Sequence, residues 1–225
     1  MNVEKGTLVE FRVGSDRRLA VMDRPEGKKH WIAIDERGQA HTLHPRQIAY
    51  QVSGDTYKPS QIPDFLTQVQ PYLDPSSLEV AWELLVEDGE SASPAEMALL
   101  LFSDTSAALC YAAYVLLSDD KLYFKLKGDR YEPRSRNQVE ELKHQLEVAA
   151  QRQQELEGFW ARLEQALAQA SVEWQSSDRP RLEALERFAT LGEEATHRSL
   201  ALETLVHLKR SETPQAAFQL LVDLG

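Results

Sequence analysis

The chain has 225 residues, 42% of them hydrophobic and 27% charged, with a net charge of -11. That composition suits a globular protein, and the acidity argues against a protein that coats nucleic acid by phosphate neutralisation, which needs an excess of Lys and Arg. One cysteine, Cys110, rules out an intrachain disulfide and fits a reducing, cytoplasmic setting. The charge is unevenly placed. Residues 1–58 carry ten Lys/Arg and eight Asp/Glu, residues 59–120 carry eleven Asp/Glu and no Lys or Arg, and residues 121–225 carry fifteen and seventeen. Residues 1–20 hold no signal peptide, and the longest apolar run, "ALCYAAYVLL", is too short to span a bilayer.

Residues 1 to about 52 read as β, within a first module of residues 1–58. "GTLVEFRV", "RRLAVMDR", "HWIAIDERG" and "AHTLHPRQIAYQV" are short runs rich in β-branched, aromatic and leucine residues. Gly14-Ser15-Asp16, Pro25-Glu26-Gly27 and Arg37-Gly38 punctuate them. Leu8, Glu10 and Arg12 alternate with Val9, Phe11 and Val13. Four or five strands in this length predict a small SH3-like β-barrel, with a fragment of an OB-type barrel as the rival. Residues 53–62 read as a linker.

Helical signals fill residues 59–134. Pro63 to Leu73 is a short amphipathic stretch. Asp74-Pro75 offers an N-cap and a proline at the first helical position, and the helix stops at Gly89. Ser93-Pro94-Ala95-Glu96 is a capping box. A further helix spans about Thr105 to Leu117, and "KLYFKLKGDRYEPR" follows as two short strands around Gly128-Asp129. Helices followed by a hairpin predict a winged-helix-like domain, the hairpin being the wing. Its recognition helix, "TSAALCYAAYVLL", offers no Arg, Lys, Asn or Gln for base edges, which speaks against a DNA-binding regulator.

From Ser135 the pattern becomes an a/d heptad over Val139, Leu142, Leu146, Ala149, Gln153, Leu156, Trp160, Leu163, Leu167 and Ala170. It predicts one long helix of roughly 35 residues, about 50 Å at the standard rise. Shorter helices at 180–191, 194–209 and 214–224 then fold back over the seam as a helical hairpin or bundle, with an intermolecular coiled coil as the alternative. Overall the fold class is α+β, in three modules: 1–58, 59–134 and 135–225.

Chemistry is sparse. There is no Walker loop, no GxGxxG and no GxSxG, and the six histidines show no metal-ligand spacing. Cys110 sits in an apolar context as a small buried hydrophobe. His41 and His44 flank a Pro45 turn, and Asp119-Asp120 reads as a solvated turn. Binding features are stronger. Lys28, Lys29, His30 and Trp31 lie at a loop-to-strand junction, with Arg17, Arg18 and Arg46 near in sequence; charge for phosphates beside a π-face for bases is what single-stranded RNA uses. The alternative is that Trp31 belongs to the core. In the wing, Lys121, Lys125, Lys127, Arg130, Arg134 and Arg136 accompany Tyr123, Phe124 and Tyr131. Strict alternation puts Lys121, Tyr123, Lys125 and Lys127 on one face and Leu122, Phe124 and Leu126 on the other.

The motifs "RRLAV", "PEGKKHW" and "LHPRQIAYQV" in the first module resemble the amino-terminal segment of ribonuclease II/ribonuclease R-type exoribonucleases of cyanobacteria and chloroplasts. "LLSDDKLYFKLKGDRYEPRSRNQVEELK" resembles the same proteins, and "AAFQLLVDLG" looks like the approach to their catalytic domain. The resemblance implies an accessory region of a 3′-to-5′ exoribonuclease, with the hydrolytic, Mg²⁺-dependent domain following it and outside this sequence. No Asp cluster matching that metal site occurs here, so no catalytic residue is carried over, and no cofactor is expected in this chain. The family's cold-shock OB domains are not recognisable. The implied partners are single-stranded RNA, the catalytic domain of the same polypeptide and another ribonuclease of a degrading assembly, with no membrane. A protein-interaction scaffold that never touches RNA is the rival reading.

Overall fold

The computed structural model describes residues 3–54, 56–168 and 171–225. Packing divides the chain into two units, Met1–Leu142 and Lys143–Gly225. Asp55 of the predicted linker and Ala170 of the predicted heptad lie outside the described residues.

The first unit opens with five antiparallel strands: β1 (Leu8–Val13), β2 (Asp16–Glu26), β3 (His30–Asp35), β4 (Ala40–Leu43) and β5 (Ile48–Gln51), in the order β4-β3-β2-β1-β5. Four strands meander, a 3₁₀ turn at Pro45–Gln47 reverses the chain, and β5 returns to pair with β1. An OB-type barrel is a Greek key, whereas these strands run as a meander closed by β5 on β1. The alternation along β1 is as predicted, but both of its faces are covered. Val9 and Phe11 pack inward with Ala20, Met22, Ala33, Leu43 and Ile48. Leu8, with Leu19 and Val21, packs instead against Ile62, Phe65, Tyr111 and Tyr114.

Those last residues come from the helices. α1 (Ile62–Val69), α2 (Ser77–Asp88), α3 (Pro94–Phe102) and α4 (Ala107–Asp119) are followed by β6 (Phe124–Lys127) and β7 (Arg130–Pro133). The local signals hold. Ser93 Oγ accepts from the Glu96 N–H while the Glu96 carboxylate accepts from the Ser93 N–H, closing the capping box. Gly89 ends α2 at φ 66°, the left-handed region a glycine enters without strain. The start of α2 is the exception: Asp74 is not its N-cap and Pro75 is not its first residue, because the N-cap is Ser76, and the Asp74 side chain accepts from the Ser76 N–H in an Asx turn ahead of the helix.

α4 is the axis of this unit. Leu109, Cys110, Ala113, Leu116 and Leu117 face the core shared with α2, α3 and the hairpin. Tyr111, Ala112 and Tyr114 face the outer side of the barrel. The would-be recognition helix is therefore interior, which accounts for its lack of polar side chains. Cys110 is buried, its thiol donating to the Thr105 carbonyl, and burial, with Asp104 beside it, pushes that thiol up. No single helix among the described residues is long and apolar enough to cross a membrane. α3 and α4 together have the apolar character for it but are bent at 104°.

α5 (Arg136–Leu167) is one continuous helix of 32 residues. Its heptad is not one seam. Val139 belongs to the first unit's core and Leu163 is fully buried, while Leu146 is 57% exposed and Ala149 and Gln153 are also exposed. In the second unit, α6 (Arg179–Leu191), α7 (Arg198–His207) and α8 (Pro214–Leu224) close around Leu185, Phe188, Ala201, Leu205, Ala217 and Leu220, with Leu167 packed against them. The Asp178 carboxylate, wholly buried, accepts two bonds from the Arg162 guanidinium at 2.6 and 2.7 Å and a third from the Gln175 N–H. Trp160 stacks on His207 with ring centroids 4.0 Å apart.

Candidate nucleic-acid interface

The predicted RNA-contacting residues fall into three places. Antiparallel pairing puts the β2–β3 turn at one end of the barrel and the β1–β2 and β3–β4 turns at the other.

The β2–β3 end holds Lys28, Lys29, Trp31 and Arg46. Gly27 turns the hairpin at φ 63°, leaving Lys28 and Lys29 exposed. His30 and His44 meet edge to face at 5.5 Å, which seats the 3₁₀ turn beside the hairpin. His44 is a cap: its Nδ1 accepts from the Arg46 N–H at 3.1 Å, and its own N–H donates to Gln47 Oε1 at 2.7 Å. Arg46 is held exposed on that turn. Trp31 is half-buried, packed against the barrel core, so both readings of it are partly met. Among the described residues, Lys28, Lys29 and Arg46 form no ion pair. His41, one strand away, is not in a solvated turn. Its Nε2 lies 2.9 Å from Asp35 Oδ2, and Asp35 also accepts from the N–H groups of Arg37 and Gln39. Burial raises the Asp35 carboxyl, but these hydrogen bonds, His41 foremost, outweigh it and hold the group below the usual carboxylate range.

At the other end, Arg17 is engaged. Its Nε lies 3.1 Å from Glu10, and its Nη2 donates to Asp119 at 2.9 Å and Ser118 at 2.7 Å. Glu10 is wholly buried and accepts from the hydroxyls of Tyr111 at 2.7 Å and Tyr114 at 3.1 Å. Burial, then the Glu10 carboxylate, pushes both phenols above their ordinary range. This node joins the barrel to α4. Sequence reasoning missed Glu10, because a polar residue alternating with Val9 and Phe11 looks solvent-facing unless a helix is known to cover it. Arg18 is exposed beside Glu36 and Arg37 in a shallow cleft.

In the wing the basic residues are matched by acids of the same unit. Lys125 and Lys127 share Glu132, at 3.5 and 2.8 Å. Arg130 reaches Glu96 at 2.7 Å and the Ser91 hydroxyl and carbonyl. Arg136 pairs with Glu87 at 3.3 Å and covers the Trp82 ring. Arg134 is half-buried, its carbonyl accepting from Trp82 Nε1. Lys121 is exposed. The expected alternation fails at 121–123. The Asp120 carboxylate accepts from the N–H groups of Leu122, Tyr123 and Phe124, bending the chain before the strand starts. Tyr123 and Phe124 are both buried as a result, and Leu126 is 61% exposed. Asp119 and Asp120 are thus an ion-pair partner and a cap rather than a solvated turn. Among the described residues no group of three or more His, Cys, Asp or Glu side chains is arranged to hold a metal ion.

Three family models match consecutive segments: a CSD-like barrel domain over residues 3–62, a ribonuclease II winged helix domain over 64–138 and a double HTH domain over 139–225. Together the three models fit the chain to an amino-terminal region of the ribonuclease II type. The chain is 53% identical, over 99% of its length, to an uncharacterized ribonuclease of Synechocystis, of which it covers 33%. It is 33% identical, again over 99% of its length, to the chloroplastic/mitochondrial ribonuclease II of Arabidopsis thaliana, of which it covers 30%. The chain thus spans about a third of the curated relatives it matches. No solved structure matches it. The first family model amends one expectation: a cold-shock-type barrel, not legible in the sequence, is assigned to residues 3–62, although its strands form a meander.

Proposed function

We propose that this ribonuclease II-type region guides single-stranded RNA, and that the guiding surface is the barrel end formed by Lys28, Lys29, Trp31 and Arg46. The observation that carries the reading is electrostatic. Most of the other predicted cations are held in ion pairs, whereas Lys28, Lys29 and Arg46, at the same end of the barrel as the half-buried Trp31, form no ion pair among the described residues. Unpaired cations release counterions when they meet phosphates; paired ones must first give up a carboxylate. Arg18 and Lys121 are exposed single cations and extend the path. Arg17 and Tyr123 serve the packing of the unit. In the longer protein the domain that follows would remove nucleotides hydrolytically from the 3′ end, as nucleoside 5′-monophosphates, with Mg²⁺ held by its own aspartates. The setting is the cytoplasm of a cyanobacterium-like cell or its organellar counterpart.

A second reading draws on a different observation. Val80 and Leu84, one turn apart on α2, are 60% and 58% exposed within the acidic block. They suit docking of the catalytic domain or another ribonuclease.

The test is fluorescence anisotropy of the chain with a fluorescein-labelled single-stranded RNA across a salt series. Substituting Lys28, Lys29 and Arg46 together by Ala should lower the salt slope by about 2, since each phosphate neutralised on a single strand contributes about 0.7. Absence of salt-dependent binding in the unsubstituted chain would leave docking as the function.

A further inference from the structure

The first unit contains a second concave surface, remote in the strand order from the β2–β3 end. It is a cleft of about 690 Å³ between the barrel and the wing, within the size range of nucleotide and cofactor sites. Its walls are two strands with open edges. Among the described residues, β5 is the last strand in the barrel order, bonded only to β1, and β6 is bonded only to β7, whose other side takes Ala92. Ala49 and Tyr50 line one wall and Lys125 and Leu126 the other, with Tyr114 of α4 between them. Tyr50 lies parallel to Tyr114, centroids 4.2 Å apart at 24°. The charged side chains of the lining also include two guanidiniums, Arg12 and Arg134, and two carboxylates, of which Asp120 is already occupied by three backbone N–H groups and Asp129 sits in the wing turn. Arg12 is exposed and forms no ion pair among the described residues. Arg134 has its Nε buried with no hydrogen-bond partner among the described residues. A buried N–H without an acceptor is costly, and this one belongs to a residue that lines the cleft.

We infer that the cleft receives one unpaired nucleobase of a single-stranded RNA, laid on the Tyr50–Tyr114 stack, with the adjoining phosphates bonded by Arg12 and Arg134. The inference rests on the RNA-guiding reading above and adds a second anchoring point to it. An extended peptide could pair with the open edges of β5 and β6, but it would not call for two unpaired guanidiniums beside an aromatic stack. Tyr114 also meets Tyr111 at 6.0 Å and the Arg17 guanidinium at 5.8 Å, so the base would lie on the half-buried Tyr50 ring, and stacking of a base on tyrosine is tolerant of sequence.

The test uses the whole chain and a short single-stranded RNA carrying 4-thiouridine, irradiated and mapped by mass spectrometry. The crosslink is expected in the peptides that carry Tyr50 or Leu126. Ala49→Trp, at an exposed position, fills the cleft without deleting any of its polar groups, and Arg12→Glu reverses its free charge. Each should lower affinity and crosslink yield about tenfold, the scale of one stacked base, with an unchanged far-ultraviolet circular dichroism spectrum. The Lys28/Lys29/Arg46 alanine variant should bind more weakly overall yet keep the crosslink at the cleft. Full crosslinking and affinity in both Ala49→Trp and Arg12→Glu, with reduced binding only in the barrel-end variant, would overturn the cleft while leaving RNA guidance intact. RNA that neither binds nor crosslinks to the unsubstituted chain would sink both.

Discussion

The barrel end and the wing have similar compositions and opposite electrostatics. Both place several Lys and Arg next to aromatic residues. In the wing, Glu132, Glu96 and Glu87 form ion pairs with four of the six cations, Lys125 and Lys127 sharing Glu132, and the aromatics are core. At the barrel end the three cations keep their charge and the indole stays partly open. The acidic block preceding the wing explains the difference, since two of its glutamates reach forward across the fold to the basic hairpin. A basic run in a sequence states how much charge exists, not how much is free.

Four experiments would break or sharpen that contrast. The largest effect should come from the node that fixes the barrel on α4. Glu10→Leu leaves Arg17 Nε and two tyrosine hydroxyls without their acceptor, while Arg17 keeps Asp119 and Ser118 through Nη2, and should cost about 3–5 kcal/mol of stability, read from the urea midpoint. Asp120→Ala removes the acceptor for three N–H groups at the base of the wing. A destabilisation of about 2 kcal/mol is expected, with hydrogen exchange accelerating first at Leu122 to Phe124. A smaller effect should follow Lys125→Ala with Lys127→Ala. Because both are tied to Glu132, the salt slope for RNA should fall by well under the roughly 1.4 that two free cations would contribute; a drop of the full amount would erase the distinction between the two regions. The smallest concerns pH. Hydrogen bonding to Lys127, with Lys125 adding, holds the Glu132 carboxyl below its usual range despite some desolvation. A depressed carboxyl stabilises the fold fully above its unfolded value of about 4.3 and loses that contribution as pH falls through the folded value. Amide protection factors in the hairpin, the exchange rates taken relative to the intrinsic rate at each pH, should therefore fall in acid, and Glu132→Gln should flatten that dependence.

Much of the fold was legible because its signals are local. Alternation marked β1, the Ser93–Glu96 box marked the start of α3, and Gly89 and Gly128 marked where elements stop or turn. What escaped depended on distant partners. Tyr123 is buried because Asp120 bends the chain ahead of the strand, so a period-2 count begun at Lys121 started too early. The unbroken heptad of α5 suggested one buried seam, yet Val139 and Leu163 answer to different cores and Leu146 between them faces outward. Of the candidate site, the residues Lys28, Lys29, Trp31 and Arg46 were visible, whereas Arg12 and Tyr50 were not, since only β5 returning to β1 brings them to the cleft.

The outer face of β1 and β2 has a practical consequence for anyone dissecting the molecule. Leu8, Leu19 and Val21 are shielded by Phe65, Tyr111 and Tyr114, and Glu10 is anchored there too. A cut at the border between the first two family segments, near residue 63, would leave a barrel with a greasy flank and a stranded carboxylate. Such a piece should self-associate, and the intact unit should melt in one transition. The border drawn by homology is a seam of ancestry, not of folding.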